Sequence, residues 1–132
     1  MEIHADYITG STLYSCRFQP DGNVFLSSGA SDEVWGAGGN DASNYAVTMT
    51  EDGVGGHYSG EFDPSSNIAE GTYQVTVYLQ TGGSPADSDT AIYKGEIYWD
   101  GTSEITIFTL DSDINILKLS SSKVLNIYGP GE

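Results

Sequence analysis

Two histidines, one cysteine and a large excess of carboxylates are the reactive groups of this chain, and their spacing limits what they can do. Cys16 with His57 would supply a thiol nucleophile and its base. His57, however, alternates outward beside the glycine-rich turn 52–56, His4 lies near a terminus, and no motif joins either histidine to Cys16. With so many acids, any two carboxylates could meet, so a glycosidase pair has no specific signature. The sequence contains no Gly-x-Ser-x-Gly elbow, no Walker loop, no strand-linked Gly-x-Gly-x-x-Gly and no His-Glu-x-x-His. The expectation is a protein that is not an enzyme.

Two acidic stretches carry the oxygen donors that calcium requires. Asp111-Ser112-Asp113-Ile114-Asn115 imitates the opening of an EF-hand loop, then fails: Ile116 stands where glycine is required and Ser122 where glutamate is required. Asp87-Ser88-Asp89 places two carboxylates two positions apart on a loop, where they either curl around an ion or serve as solvated turn acids. No metal and no cofactor are expected. Trp35, in the middle of the long connection 28–44, either plugs one end of the fold or offers an aromatic contact to a partner.

Strands must position these groups, because helix signals are nearly absent. There are 17 glycines, and no long window carries apolar residues at helical spacing. Tyr14, Cys16 and Phe18 alternate with Ser15, Arg17 and Gln19, and an Asp21-Gly22 turn leads to Val24–Leu26. Tyr45, Val47 and Met49 form the next period-2 set, followed by the turn 52–56 and by Tyr58 and Phe62. Then come Tyr73, Val75, Val77 and Leu79, the breaker 81–87, the segment Ala91–Trp99 and, past Asp100-Gly101, Ile105 and Ile107. The expected core is Val47, Met49, Tyr73, Val75, Val77, Leu79, Ile97, Trp99, Ile105 and Ile107. About seven short strands at near-regular spacing predict an all-β fold, a single antiparallel immunoglobulin-like β-sandwich. Its expected limits are an N-terminal arm over 1–11, the sandwich over 12–110 and a C-terminal extension over 111–132.

Charge narrows the partners. Nineteen Asp and Glu against four Lys and Arg give a formal net charge of -15 over 132 residues. That balance argues against direct contact with nucleic acid or an anionic membrane, both of which require clustered positive charge. A lone cysteine permits no internal disulfide. Neither a secretion signal nor an apolar run of membrane-spanning length is visible. The extension, by contrast, carries Ile114, Ile116, Leu119, Leu125 and Ile127 after the expected sandwich is complete. These apolar side chains need cover, from the chain's own sheet edge or from a neighbouring subunit by strand addition. They and Trp35 are the candidate partner-binding residues.

Four stretches carry a resemblance: Asn44-Tyr45-Ala46-Val47-Thr48-Met49-Thr50-Glu51; Gly56-His57-Tyr58 with Glu61-Phe62-Asp63; Gly71-Thr72-Tyr73-Gln74-Val75-Thr76-Val77-Tyr78; and Gly95-Glu96-Ile97-Tyr98-Trp99-Asp100-Gly101. Together they resemble a small immunoglobulin-like β-sandwich module of the structural proteins of tailed bacteriophages, over roughly residues 12–110. The resemblance implies a virion component: a decoration, neck or tail adaptor, or fibre-base protein. Such a protein would be present as a homo-oligomer or repeated subunit and would contact other virion proteins through its surfaces. The alternative is a carbohydrate- or receptor-binding module in which Trp35, Tyr78, Tyr93 or Tyr98 stacks on sugar rings.

Overall fold

Nine β-strands in two antiparallel sheets account for most of the regular structure in the computed structural model, which describes residues 2–105. The chain is an all-β sandwich. The larger sheet is built on β2 (Leu13–Phe18), β8 (Gly71–Leu79) and β9 (Thr90–Trp99), with β8 in the middle. Its other side is extended by β3 (Val24–Phe25), β4 (Asp32–Glu33) and β5 (Val47–Thr48). In the smaller sheet β7 (His57–Glu61) lies between β1 (Glu2–Asp6) and β6 (Thr50–Glu51).

The first of these strands occupies the segment expected as an N-terminal arm. Ile3 and Ala5 alternate with Glu2, His4 and Asp6, so β1 buries two apolar side chains while pairing Glu2–Asp6 against Glu61–His57. A five-residue strand with only two apolar positions is too short a pattern to stand out in the sequence. Burial and the ladder it forms with β7 hold it in the fold.

Between the sheets lies a core of Ile3, Leu13, Phe25, Met49, Tyr58, Phe62, Ile68, Tyr73, Val75, Val77, Ile97 and Trp99. Among the expected core residues, Leu79 is only partly buried against this cluster, Val47 and Ile105 are half-buried, and Ile107 lies outside the described residues. The Trp99 indole N–H donates to the Ile68 main-chain oxygen at 3.1 Å, satisfying its polar atom inside the core.

Strand β2 is buried from Leu13 to Arg17, on both faces. A one-sided hairpin would leave every second residue wet. Here the face of the larger sheet turned away from the smaller sheet carries a second cluster of Tyr14, Cys16, Val24, Ala42 and Tyr45, over which Phe18, Leu26, Trp35, Ala46 and Tyr78 pack. The long connection between β3 and β5 provides its roof. Within it a single helical turn, α1 (Ala42–Tyr45), starts at a capping box: the Asp41 side chain accepts from Ser43 N–H, and the Asn44 side chain accepts from Asp41 N–H. Tyr45, read from sequence as a strand residue, therefore closes a helix.

The strand expected to run through Val47 and Met49 is divided. Val47 pairs with Ser15 in the larger sheet, whereas Thr50 pairs with Ser59 in the smaller one, so the chain changes sheets at Met49. The crossing is tight. A Cβ on Gly60 would lie 3.0 Å from both Met49 Cγ and the Thr48 oxygen, which explains a glycine in the middle of β7.

Arg17, which alternates with Cys16 and Phe18 along β2, is fully buried. Its guanidinium donates to the main-chain oxygens of Phe62, Leu26 (2.9 Å) and Ser27 (3.0 Å), while its Nε has no hydrogen-bond partner. Burial lowers its pKa below the usual arginine value, with the nearby Asp63 charge opposing. It is a structural tie between loops.

Candidate functional site: a cleft between two sheet edges

A cleft of about 540 Å³ opens where the β1 edge of the smaller sheet faces the β9 edge of the larger one. Ala5, Val75, Val77 and Ile97 give it an apolar floor, and Glu2, Asp6, Glu96 and Glu104 make its rim acidic, with Lys94 and two histidines beside them. Tyr93 reaches across from β9, its hydroxyl donating to the main-chain oxygen of Asp6.

Both histidines lie on one wall. His57 sits opposite Asp6 in the β1–β7 ladder, and its Nδ1 donates to Asp6 Oδ1 at 2.7 Å. Its Nε2 is 3.0 Å from His4 Nδ1, and the two rings stack with centroids 5.1 Å apart. The His4 Nε2 lies 3.6 Å from Glu2 Oε1, completing a line of acid, imidazole, imidazole, acid across two strands. The hydrogen bond to Asp6 raises the His57 pKa above the ordinary histidine value; desolvation opposes it, and the charges of Asp6, Asp52 and Glu2 add to it. The arrangement can hold one proton between two rings. Cys16 is not part of it: the thiol packs in the second cluster on the far face of the larger sheet, where burial pushes it up to about 12.

The loop acids considered for calcium are spent on the protein's own donors. Asp87 Oδ1 accepts from Ala42 N–H at 2.8 Å and from the Trp35 indole N–H at 3.2 Å. Asp89 accepts from the Tyr14 hydroxyl at 2.8 Å, from Ala86 N–H at 2.9 Å and from Thr81. Burial opposes ionisation of Asp89, yet these donors outweigh it and hold its carboxyl below the usual range. Burial and the Asp89 contact raise the Tyr14 phenol. Among the described residues no group of three or more His, Cys, Asp or Glu is placed to hold a metal ion. Asp111 and Asp113 lie outside the described residues.

Trp35 is half-buried as part of the roof, 4.7 Å from the Tyr45 ring centroid and stacked near Phe18 at 6.2 Å. Tyr78 is also drawn into this cluster. Tyr93 and Tyr98 stay 45% and 43% exposed, but an odd and an even position of one strand face opposite sides of the sheet, so they form no common platform. Ile114, Ile116, Leu119, Leu125 and Ile127 lie outside the described residues.

Sequence reasoning did not find the cleft or the pairing of the two histidines. The only available signal was His4 alternating with Ile3 and Ala5, which defines β1 once its partner strand is known. A search of family models, curated proteins and solved structures finds no match to the chain.

Proposed function

We propose that the chain is a non-enzymatic structural protein of a bacteriophage virion, a decoration, neck or tail adaptor or fibre-base subunit that acts through protein contacts. It would be located in the virion as a homo-oligomer or repeated subunit among other virion proteins, bound to neither nucleic acid nor membrane. The immunoglobulin-like character of the sandwich belongs to the same proposal. Support comes from how the polar groups are used. Glu33, Glu51, Asp63, Asp87 and Asp89 all accept hydrogen bonds that fold the chain's own loops. What remains outward is an acidic surface and a cleft bordered by sheet edges, features suited to strand addition and charge-selected contact.

The contact residues proposed for assembly are Ile114, Ile116, Leu119, Leu125 and Ile127, with Trp35 as a further contact at the loop roof. Lys118 and Lys123, half of the four basic residues, would present positive charge to an acidic neighbour. Truncation after Leu110 is expected to leave a folded, soluble monomer by light scattering that no longer joins its particle. A truncated chain that assembles normally overturns the proposal, and one that unfolds assigns the segment to the domain's own core. The carbohydrate- or receptor-binding alternative draws on the exposed Tyr93 and Tyr98. A glycan-array signal lost on replacing either tyrosine would favour it.

A further inference from the structure

We propose that His4 and His57 form a cross-strand chelate for one divalent transition-metal ion that takes nitrogen ligands near a right angle, the class of Ni²⁺ and Cu²⁺. The inference stands apart from the virion reading and is carried by the placement of the ring nitrogens and of the two carboxylates behind them.

The β1–β7 register brings the rings together. His4 is opposite Ser59 and His57 is opposite Asp6, so the histidines are diagonal neighbours on the outward face of the smaller sheet, while Ile3, Ala5 and Tyr58 are buried on the other face. Neither imidazole is used by the core. Both stand on paired strands whose inward side chains are packed, which fixes their spacing better than a loop would.

Proton positions decide which nitrogens are available. His57 Nδ1 donates to Asp6 Oδ1 at 2.7 Å, so the neutral ring keeps its lone pair on Nε2. Glu2 Oε1, 3.6 Å from His4 Nε2, favours a proton on that outer nitrogen and leaves the His4 lone pair on Nδ1. The two bare nitrogens are the ones that face each other, 3.0 Å apart. Lone pairs at that distance repel, and a cation bound by both removes the repulsion. A carboxylate behind each imidazole is also the arrangement that orients metal-bound histidines and makes their nitrogens stronger donors.

Distance selects the class of ion. With metal–nitrogen bonds of about 2.0–2.1 Å, the 3.0 Å separation corresponds to a nitrogen–metal–nitrogen angle of about 95°, whereas a tetrahedral zinc site would need about 3.3 Å. An angle near 90° suits the tetragonal geometry of Ni²⁺ and Cu²⁺. Calcium and magnesium take oxygen ligands and match this donor pair poorly. Among the described residues no third His, Cys, Asp or Glu completes the set, so solvent fills the remaining positions, and both rings are open enough to admit it.

Calorimetric titration of the untagged full chain with Ni²⁺ and with Cu²⁺ tests the site. One ion per chain is expected, with a raised melting temperature and slower exchange of the β1 amides. The Cu²⁺ electron paramagnetic resonance spectrum should show coupling to two imidazole nitrogens. Asp6→Asn keeps both ligands and should weaken binding about tenfold. His4→Ala and His57→Ala should each weaken it further than that, with unchanged circular dichroism because both positions face outward. Binding that survives either histidine substitution overturns the chelate. A stoichiometry of one ion per two chains replaces it with a bridge between copies. Displacement by an equal concentration of Ca²⁺ reduces the site to its carboxylates, and absence of binding at millimolar Ni²⁺ and Cu²⁺ leaves the pair with a proton only.

Discussion

The two faces of the larger sheet are buried by different means. Toward the smaller sheet, strand meets strand, and the cover consists of side chains such as Phe62, Met49 and Ile3 delivered by regular alternation. Away from it, the cover is an irregular connection, and carboxylates hold the aromatic residues on both sides of the contact: Tyr14 of β2 to Asp89, and Tyr45 and Trp35 of the connection to Glu33 at 2.8 Å and to Asp87. The first face is stabilised mainly by apolar area and is little affected by pH. The second depends on ionised acids accepting from buried or half-buried donors, so it should respond to protonation and to single polar substitutions.

The contrast can be broken most decisively at Phe62, which is fully buried against Tyr73 and Trp99. Phe62→Ala should cost about 3–5 kcal/mol in urea unfolding, with both faces lost in one transition. A cost below that of the loop substitutions would mean that the inter-sheet cluster is not the main core. Asp89→Ala should follow at about 1–3 kcal/mol, since it leaves the Tyr14 hydroxyl and Ala86 N–H without their acceptor. Its effect on exchange should concentrate in 81–89 and spare β8; uniform loss of protection would erase the distinction between the faces. Tyr45→Phe removes the donor to Glu33 and the acceptor for Gly36 N–H, and about 0.5–1.5 kcal/mol is expected.

Acid sharpens the comparison without any substitution. Asp89 and Glu51 are both held below their ordinary carboxyl values, Glu51 mainly by Thr9, with Gly10, Gly56 and Tyr58 also donating. A carboxylate lowered by folding contributes stability above its unfolded pKa, about 4, and that contribution disappears as pH falls through the lowered folded value. Loops 81–89 and 9–10 should therefore loosen on acidification before the inter-sheet core does, as followed by amide signals across a pH titration. His57 works in the other direction. Its raised pKa contributes below about pH 6.5, and the contribution is lost as pH rises through the folded value. The β1 amides should thus be best protected on the acidic side of neutrality, and His57→Gln should flatten that dependence.

How much of this was legible follows from which forces act locally. Strands β8 and β9, the Asp21-Gly22 turn and the Asp100-Gly101 turn are written in alternation and turn chemistry, and Tyr73, Val75, Val77, Ile97 and Trp99 are buried as their spacing predicts. The second cluster was hidden because its cover comes from residues without periodicity. An arginine beside alternating apolar residues reads as the wet face until three main-chain oxygens are brought to it, as they are for Arg17. The break at Met49 was equally invisible, since both halves of the segment are extended and only their partners differ. The candidate cleft depends on β1 meeting β9, and no local pattern encodes that meeting.

Arg17 also bears on how the chain reaches its fold. Its acceptors come from the segment after β3 and from the residue that follows β7, stretches distant in sequence that meet at β2. A chain with only one of them docked would hold a guanidinium already stripped of water and still short of partners, a state of high free energy. Half-assembled forms are thereby penalised relative to both the unfolded and the complete chain. A single side chain in β2 thus acts as a check on joint docking, so the two loops should be gained and lost together in folding kinetics.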